Sequence, residues 1–213
     1  MKFHETTGPG TAAGEARPPP CGYFLAGIVV RSCPVYICRM TGRPGKDEAA
    51  LYYFTYIDRV QSDDIVGFLH AQLTEAEALF RGISEEKSLY RYAPEKWSIR
   101  QVLNHVTDTE RMFLFRALWF ARGFQDPLPS FEQDIAAAGA GANECPWRGH
   151  VEEFSAVRAA SHAFFRNMPP GAGMHTGIAS GKKFSVRALA WIAAGHFAHH
   201  AAIIRERYLS AER

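Results

Sequence analysis

The sequence predicts an all-α fold, a four-helix bundle preceded by a disordered or weakly ordered N-terminal extension. Three observations predict it. Residues 40–213 hold four long stretches whose apolar side chains recur at steps of three and four. Helix starts and stops bound these stretches: serine caps before them, glycine or proline after them. No stretch there alternates apolar and polar residues as a half-buried strand does.

The extension covers residues 1–39. Its first twenty residues are rich in Gly, Pro, Ala and Thr and have no apolar period, so they are expected to be disordered. An apolar run at 22–30 follows. It starts late for a signal peptide, after three prolines, and no clean small-residue cleavage site follows it. A lipoprotein reading at Cys33 meets Arg31 where a small or apolar residue belongs. A further alternative is that Met40 is the natural start and residues 1–39 lie upstream of it. Residues 40–213 then form the domain. Its first part, with Leu51-Tyr52-Tyr53-Phe54, is expected to lie as a strap across the bundle.

The first long stretch is 61–81, with Ile65, Phe68, Leu69, Leu73, Ala76, Leu79 and Phe80 on one face. Ser62 is the expected N-cap, and Asp63 and Asp64 complement the positive end of the helix dipole. The second starts at Ser98. Ser98 and Gln101 have the spacing of a capping box, in which each side chain satisfies a free amide near the other. Ile99, Val102, Leu103, Val106, Phe113, Leu114 and Ala117 keep the period, and Gly123 ends it. Residues 124–148 read as a loop. The third helix is expected over 150–167, with Val151, Phe154, Val157 and Phe164 inward and Pro169, Pro170 and Gly171 as its stop. Ser185 caps the fourth, which runs to about Tyr208 through Val186, Leu189, Ile192, Ala193, Ile203 and Ile204.

Charge and cysteine content exclude several functions. The chain has 213 residues, 47% hydrophobic and 22% charged, with a formal net charge of +2. The first 39 residues carry four basic side chains (Lys2, Arg17, Arg31, Arg39) against two acidic ones (Glu5, Glu15). The whole excess lies there, and the domain is neutral. A neutral body offers no bulk field to a phosphate backbone, so no nucleic-acid partner is expected. No uncharged run of eighteen apolar residues exists to span a membrane. Cys21, Cys33 and Cys38 lie in the extension, which leaves Cys145 alone in the domain. One cysteine cannot build an internal disulfide framework, which fits a reducing, cytoplasmic compartment. Cys145 reads as an unpaired loop thiol rather than a nucleophile. There is no glycine-rich phosphate loop, no Gly-x-Ser-x-Gly elbow and no Cys-x-x-Cys.

The chain has nine histidines. In the fourth stretch, His196 and His200 are four residues apart and share one helix face. That face also holds Leu189, Ile192 and Ile203, so it points into the bundle. His199 is turned about 100° from His200 and is expected at a helix interface or rim. On the second stretch, His105 is in line with Val102, Thr109 and Met112. Three imidazoles from two helices can bind one cation and leave positions for water or substrate, as catalytic metal sites do. The competing reading is that each buried histidine hydrogen-bonds a backbone carbonyl. Asp108 and Glu110 suit either an acceptor role toward a ligating imidazole or the metal-bound water, or surface pairs with Arg111 or Arg116. Trp97, Trp119, Tyr92 and Trp191 read as core aromatics rather than substrate contacts. No catalytic residue is assigned.

The run Tyr90-Arg91-Tyr92-Ala93-Pro94-Glu95-Lys96-Trp97-Ser98-Ile99-Arg100-Gln101-Val102-Leu103-Asn104-His105, followed by Asp108-Thr109-Glu110-Arg111, resembles the DinB-like superfamily of YfiT-type metal-dependent enzymes. Ser185-Val186-Arg187-Ala188-Leu189 and Gly195-His196-Phe197-Ala198-His199-His200 extend the resemblance, which covers about residues 46–209. It implies a four-helix bundle, often a homodimer, with a divalent metal, Zn²⁺ or Ni²⁺, on three histidines. The matching positions here are His105, His196 and His200. It also implies a small-molecule substrate. Characterised relatives join low-molecular-weight thiols such as bacillithiol or mycothiol to electrophiles, or use a thiol in isomerisation. The function expected from the resemblance is therefore a thiol-dependent S-transferase of detoxification type. The alternatives are a metal-dependent hydrolase and a non-catalytic metal-binding stress-response module.

Overall fold

The four apolar periodicities become four long helices in a computed structural model that describes residue 40 and residues 42–210. The expectations for residues 1–39, including Cys21, Cys33 and Cys38, lie outside the described residues. A 3-10 turn at Leu51–Tyr53 leads into the single-turn helix α1, Phe54–Ile57, which together form the expected strap. The bundle follows with α2 (Ile65–Arg81), α3 (Ile99–Ala121), the short α4 (Gln133–Gly139) and α5 (Trp147–Arg166). An antiparallel hairpin of β1 (Thr176–Ala179) and β2 (Lys182–Ser185) leads into α6 (Val186–Ile203), which continues as a π-helical turn at Ile204–Leu209. The chain is an all-α four-helix bundle with one small hairpin. No described helix is long and apolar enough to cross a membrane.

Several local expectations are corrected. The hairpin was not expected, because strands of four residues are too short to show alternation. Its Ser180-Gly181 turn has φ of +52° and +66°, the two left-handed residues that match the twist of flanking strands. Residues 124–148 are not all loop, since the alanine-rich run inside them forms α4. The first long helix is capped by Asp64, whose Oδ1 accepts from the Gly67 amide at 3.1 Å, and not by Ser62. The third begins three residues earlier than expected, at Trp147, and Val157 and Phe164 are only half-buried. In α2, Phe68 and Leu73 are likewise half-buried. The caps at Ser98 and Ser185 are as expected: the Ser98–Gln101 capping box is complete, and Ser185 Oγ accepts from the Ala188 amide at 2.9 Å.

α6 departs most from its amphipathic reading. Of residues 186–197, only Arg187 is not buried. A helix buried all round is a central helix, and α1, α2 and α3 all pack on it. Ala188, Ala190, Ala193, Ala194 and Gly195 keep its surface low, so neighbours approach closely. One apolar cluster gathers around its first half, with Phe113, Phe120, Phe165 and Phe184. A second holds Phe80, Leu103, Phe154, Phe197 and Ile204. His196 falls at the seam between them.

A polar node crosses this apolar interior. Arg158 on α5 has a fully buried side chain. Its Nε and Nη2 donate to Glu110 Oε2 on α3 at 3.0 and 2.7 Å. Its Nη1 donates to Gln72 Oε1 on α2. Gln72 Nε2 in turn donates to the Ala194 carbonyl of α6 at 2.9 Å. All four long helices are tied in one chain of bonds. The guanidinium also lies over the Phe154 and Phe197 rings, 5.3 and 5.1 Å from their centroids. Glu110 is thus neither a surface partner of Arg111 or Arg116 nor an acceptor for a histidine. It pairs inward with Arg158, while Arg111 pairs with Asp108 and Glu153 and Arg116 donates to Pro129 and Ser180.

Arg158→Met leaves the Glu110 carboxylate buried without its counter-charge and should cost about 3–5 kcal/mol of stability. Replacing both partners, Arg158→Met with Glu110→Leu, should recover most of that loss. Urea denaturation of the three proteins measures both quantities. A single-variant loss under about 1 kcal/mol would show that the node does not hold the bundle together.

Candidate metal centre

The site is built where α3 and α6 face each other. The Ser98 capping box sets the start of α3, and two turns later the helix presents His105. The Ser185 cap sets the start of α6, which presents His196 and, one turn on, His200. Gly195 lets the strap close over this point. A Cβ at Gly195 would lie 2.0 Å from the Tyr56 carbonyl oxygen, so only glycine admits the contact. Tyr56 then stands edge-on to both rings beside it, 5.2 Å from His196 and 5.6 Å from His199 between centroids. Trp97 covers the other side, 5.0 Å from the His105 ring.

The three sequence-selected histidines come together. His105 Nε2 lies 3.2 Å from His196 Nε2, and His200 Nε2 lies 3.1 Å from the same atom. One ligand nitrogen from each residue falls within 4.8 Å of the others. A proton on one ring serves one neighbour well and leaves the third nitrogen facing a lone pair. A cation satisfies all three. Metal–nitrogen bonds of about 2.0–2.1 Å at tetrahedral angles put ligand nitrogens about 3.3 Å apart, close to the spacing here. The donor set therefore fits a divalent ion. His105 and His196 are buried, and His200 is partly so.

Electrostatics keeps the imidazoles neutral, the form that ligates. Burial lowers the His105 pKa to about 4, against a small opposing pull from Asp134. Burial, with His105, His199 and Arg59, lowers His200 to about 3. Burial and the neighbouring histidines push His196 well down as well. Outside the triangle, Thr109 Oγ1 lies 3.4 Å from His105 Nδ1, and His200 Nδ1 has no partner among the described residues.

The other candidates lie elsewhere. Asp108 pairs with Arg111 at 3.2 Å, its surface alternative, and takes no part in the triangle. His199 sits against Tyr56 and His200, at the edge of the site. His150 Nε2 donates to the Ala142 carbonyl at 2.8 Å, the ordinary role of a buried histidine. Cys145 is an exposed free thiol. Trp191 is fully buried in the core. Trp119 stacks on Phe124 at 4.1 Å, and Tyr92 packs edge-on to Tyr208 at 4.9 Å.

His105 and His196 open onto a pocket of about 390 Å³. Tyr52, Tyr53 and Tyr56 of the strap line one side, Glu132, Gln133 and Asp134 another, and Arg116 and Ser180 a third. No local spacing in the sequence places Asp134 or the strap tyrosines at a site. Arg116 could have been found, because it extends the helical row His105, Thr109, Met112 by one more step.

The sequence model of the DinB superfamily matches residues 69–204. A solved structure described as YfiT from Bacillus subtilis, a probable metal-dependent hydrolase with an unusual four-helix bundle topology, is similar in fold. It has a TM-score of 0.59 at 13% identity, covering 82% of this chain and 97% of that one. No curated protein matches the chain.

Two outcomes test this geometry. Ala in place of a mid-helix glycine ordinarily stabilises by about 0.5–1 kcal/mol. Here Gly195→Ala should lower the melting temperature instead, because the strap must move off α6; a higher melting temperature would remove the close contact. The second concerns acid. The histidine pKa values are lower in the folded chain than their ordinary value near 6.5. Between about pH 4 and 6.5 the unfolded chain then binds protons that the folded chain does not, so stability falls as pH falls through that window. Metal-free protein should lose about 1.4 kcal/mol per pH unit for each such histidine. Melting curves between about pH 7 and pH 5 read this, and a flat profile contradicts it.

Proposed function

The chain belongs to the DinB superfamily, and from that membership and the three converging imidazoles we propose a divalent-metal-dependent enzyme, a thiol S-transferase of detoxification type. The observation that carries the reading is a neutral three-nitrogen set, held on two helices, that opens onto a pocket. His105, His196 and His200 would hold the ion, and imidazole donors suit Zn²⁺ or Ni²⁺. Because all three ligands are neutral, a bound ion would keep its full charge and lower the pKa of a thiol placed against it.

The residues around the triangle supply the rest. Tyr56 and Trp97 wall the histidines on two sides and keep bulk water from their rings. The carboxylates of Glu132 and Asp134 line the pocket and are exposed to solvent, so either Oδ or Oε atoms there can carry the thiol proton away. The volume suits a small-molecule thiol and a small electrophile.

A second reading is a metal-dependent hydrolase. It is favoured by the similar fold of YfiT, which is described as a probable enzyme of that kind. The two readings differ in one requirement: the transferase turns over only with an added thiol, whereas the hydrolase cleaves esters or amides without one.

Purified protein should carry about one divalent ion per chain by elemental analysis, and His196→Ala and His200→Ala should carry far less. Full occupancy in either variant would refute the site as drawn. Metal-loaded protein, offered a panel of cellular thiols and electrophiles, should form thioether products in a thiol-dependent way. Ester cleavage without thiol would move the assignment to the hydrolase.

A further inference from the structure

Three of the buried or half-buried arginines of the described residues meet a carboxylate. Arg100 pairs with Glu85, Arg158 with Glu110 and Arg187 with Glu48. Arg116 does not. It is 3% exposed, and its hydrogen-bond partners are neutral. Nη2 donates to the Pro129 carbonyl at 3.2 Å and to Ser180 Oγ at 3.0 Å. The Tyr53 phenol stands beside the guanidinium. Nε has no partner among the described residues. A guanidinium does not discharge in a protein, so its charge stays when it is buried. Burying such a charge without a counter-ion is costly.

That uncompensated charge lines the same pocket as His105 and His196. We propose that Arg116 is the docking residue for a carboxylate on the substrate, whose reacting end lies at the three histidines. The proposal rests on the metal-site reading of those histidines and adds the class of molecule they act on. Arg116 is the one arginine or lysine lining the pocket among the described residues, so it pairs with a single negative charge. A carboxylate can accept from the guanidinium hydrogens that Pro129 and Ser180 leave free, and the Ser180 hydroxyl stands beside it as a further donor. Glu132 and Asp134 also line the pocket but form no ion pair with Arg116.

The spacing sets the substrate's length. His105 and Arg116 are eleven residues apart on one face of α3, about 16 Å of helix rise, which the long arginine side chain shortens. A lone small anion cannot bridge that distance. A metabolite-sized molecule, with its reacting atom at one end and a carboxylate at the other, can.

The test uses 6-mercaptohexanoate and its neutral analogue 6-mercaptohexanol, titrated calorimetrically into zinc-loaded protein. The acid should bind wild type at least tenfold tighter than the alcohol. Arg116→Gln should abolish that preference, leave the alcohol's Kd unchanged and keep the full metal content. Its melting temperature should hold or rise, since an unpaired buried charge is removed. Equal binding of acid and alcohol by wild type, or a preference that survives Arg116→Gln, overturns the proposal. A metal-independent arm separates it from the histidine reading. Hexanoate at millimolar concentration should raise the melting temperature of metal-free wild type and not of metal-free Arg116→Gln. Loss of metal binding with that shift intact would refute the histidine reading alone; absence of the shift in wild type refutes the role of Arg116.

Discussion

The buried Arg158 guanidinium constrains the rest of the structure. A charge with no exposed surface must find its counter-charge and acceptors inside the protein, and Arg158 finds them on α3 and α2, with Gln72 carrying the chain of bonds on to α6. Hydrophobic contacts tolerate sliding by a fraction of a turn, because apolar packing is not directional. Bonds of 2.7–3.0 Å from Arg158 to Glu110 do not. The node therefore fixes the register of the bundle. Glu110 lies five residues after His105, and the Ala194 carbonyl bonded by Gln72 lies two residues before His196. Locking those two points locks the facing of α3 and α6 at the histidines. The guanidinium also adds positive potential at His196, which helps to keep that imidazole unprotonated.

The strap is held by two further contacts. At one end, Glu48 accepts from the Gly45 amide at 2.7 Å and from Ser185 Oγ at 2.7 Å, and pairs with Arg187. Burial by itself would raise the Glu48 pKa, but Arg187, the Gly45 amide and Ser185 outweigh it and hold the carboxylate below its ordinary value. The same serine caps α6, so one side chain joins the strap to the helix that carries two of the histidines. At the other end, the bare Cα of Gly195 seats the Tyr56 carbonyl. Between these anchors the strap tyrosines form one wall of the pocket.

Charge is distributed unevenly around that pocket. The three imidazoles are neutral, the acidic residues of the 132–134 segment are exposed, and the buried cation of Arg116 faces only neutral acceptors. The other buried or half-buried arginines among the described residues meet carboxylates from their own chain. Here the balance is left to what enters.

Much of this was legible in the sequence because it depends on local spacing. Four helices follow from apolar periods of three and four, two of their starts from serine caps at Ser98 and Ser185, and the facing of His196 and His200 from a separation of four residues. The Ser180-Gly181 hairpin, the 133–139 helix and the Asp64 cap were not read, since each is only a few residues long and its signal is no stronger than that of a loop. The partner of Glu110 could not be read at all. Arg158 is 48 positions away, and in sequence it looks like any surface arginine on an amphipathic helix. By itself the sequence determined the helices and which side chains share a face of each. Only the tertiary structure decided which faces meet, because burial in the packed bundle selects the partner of a charge, and that choice spans residues with no local relation to one another.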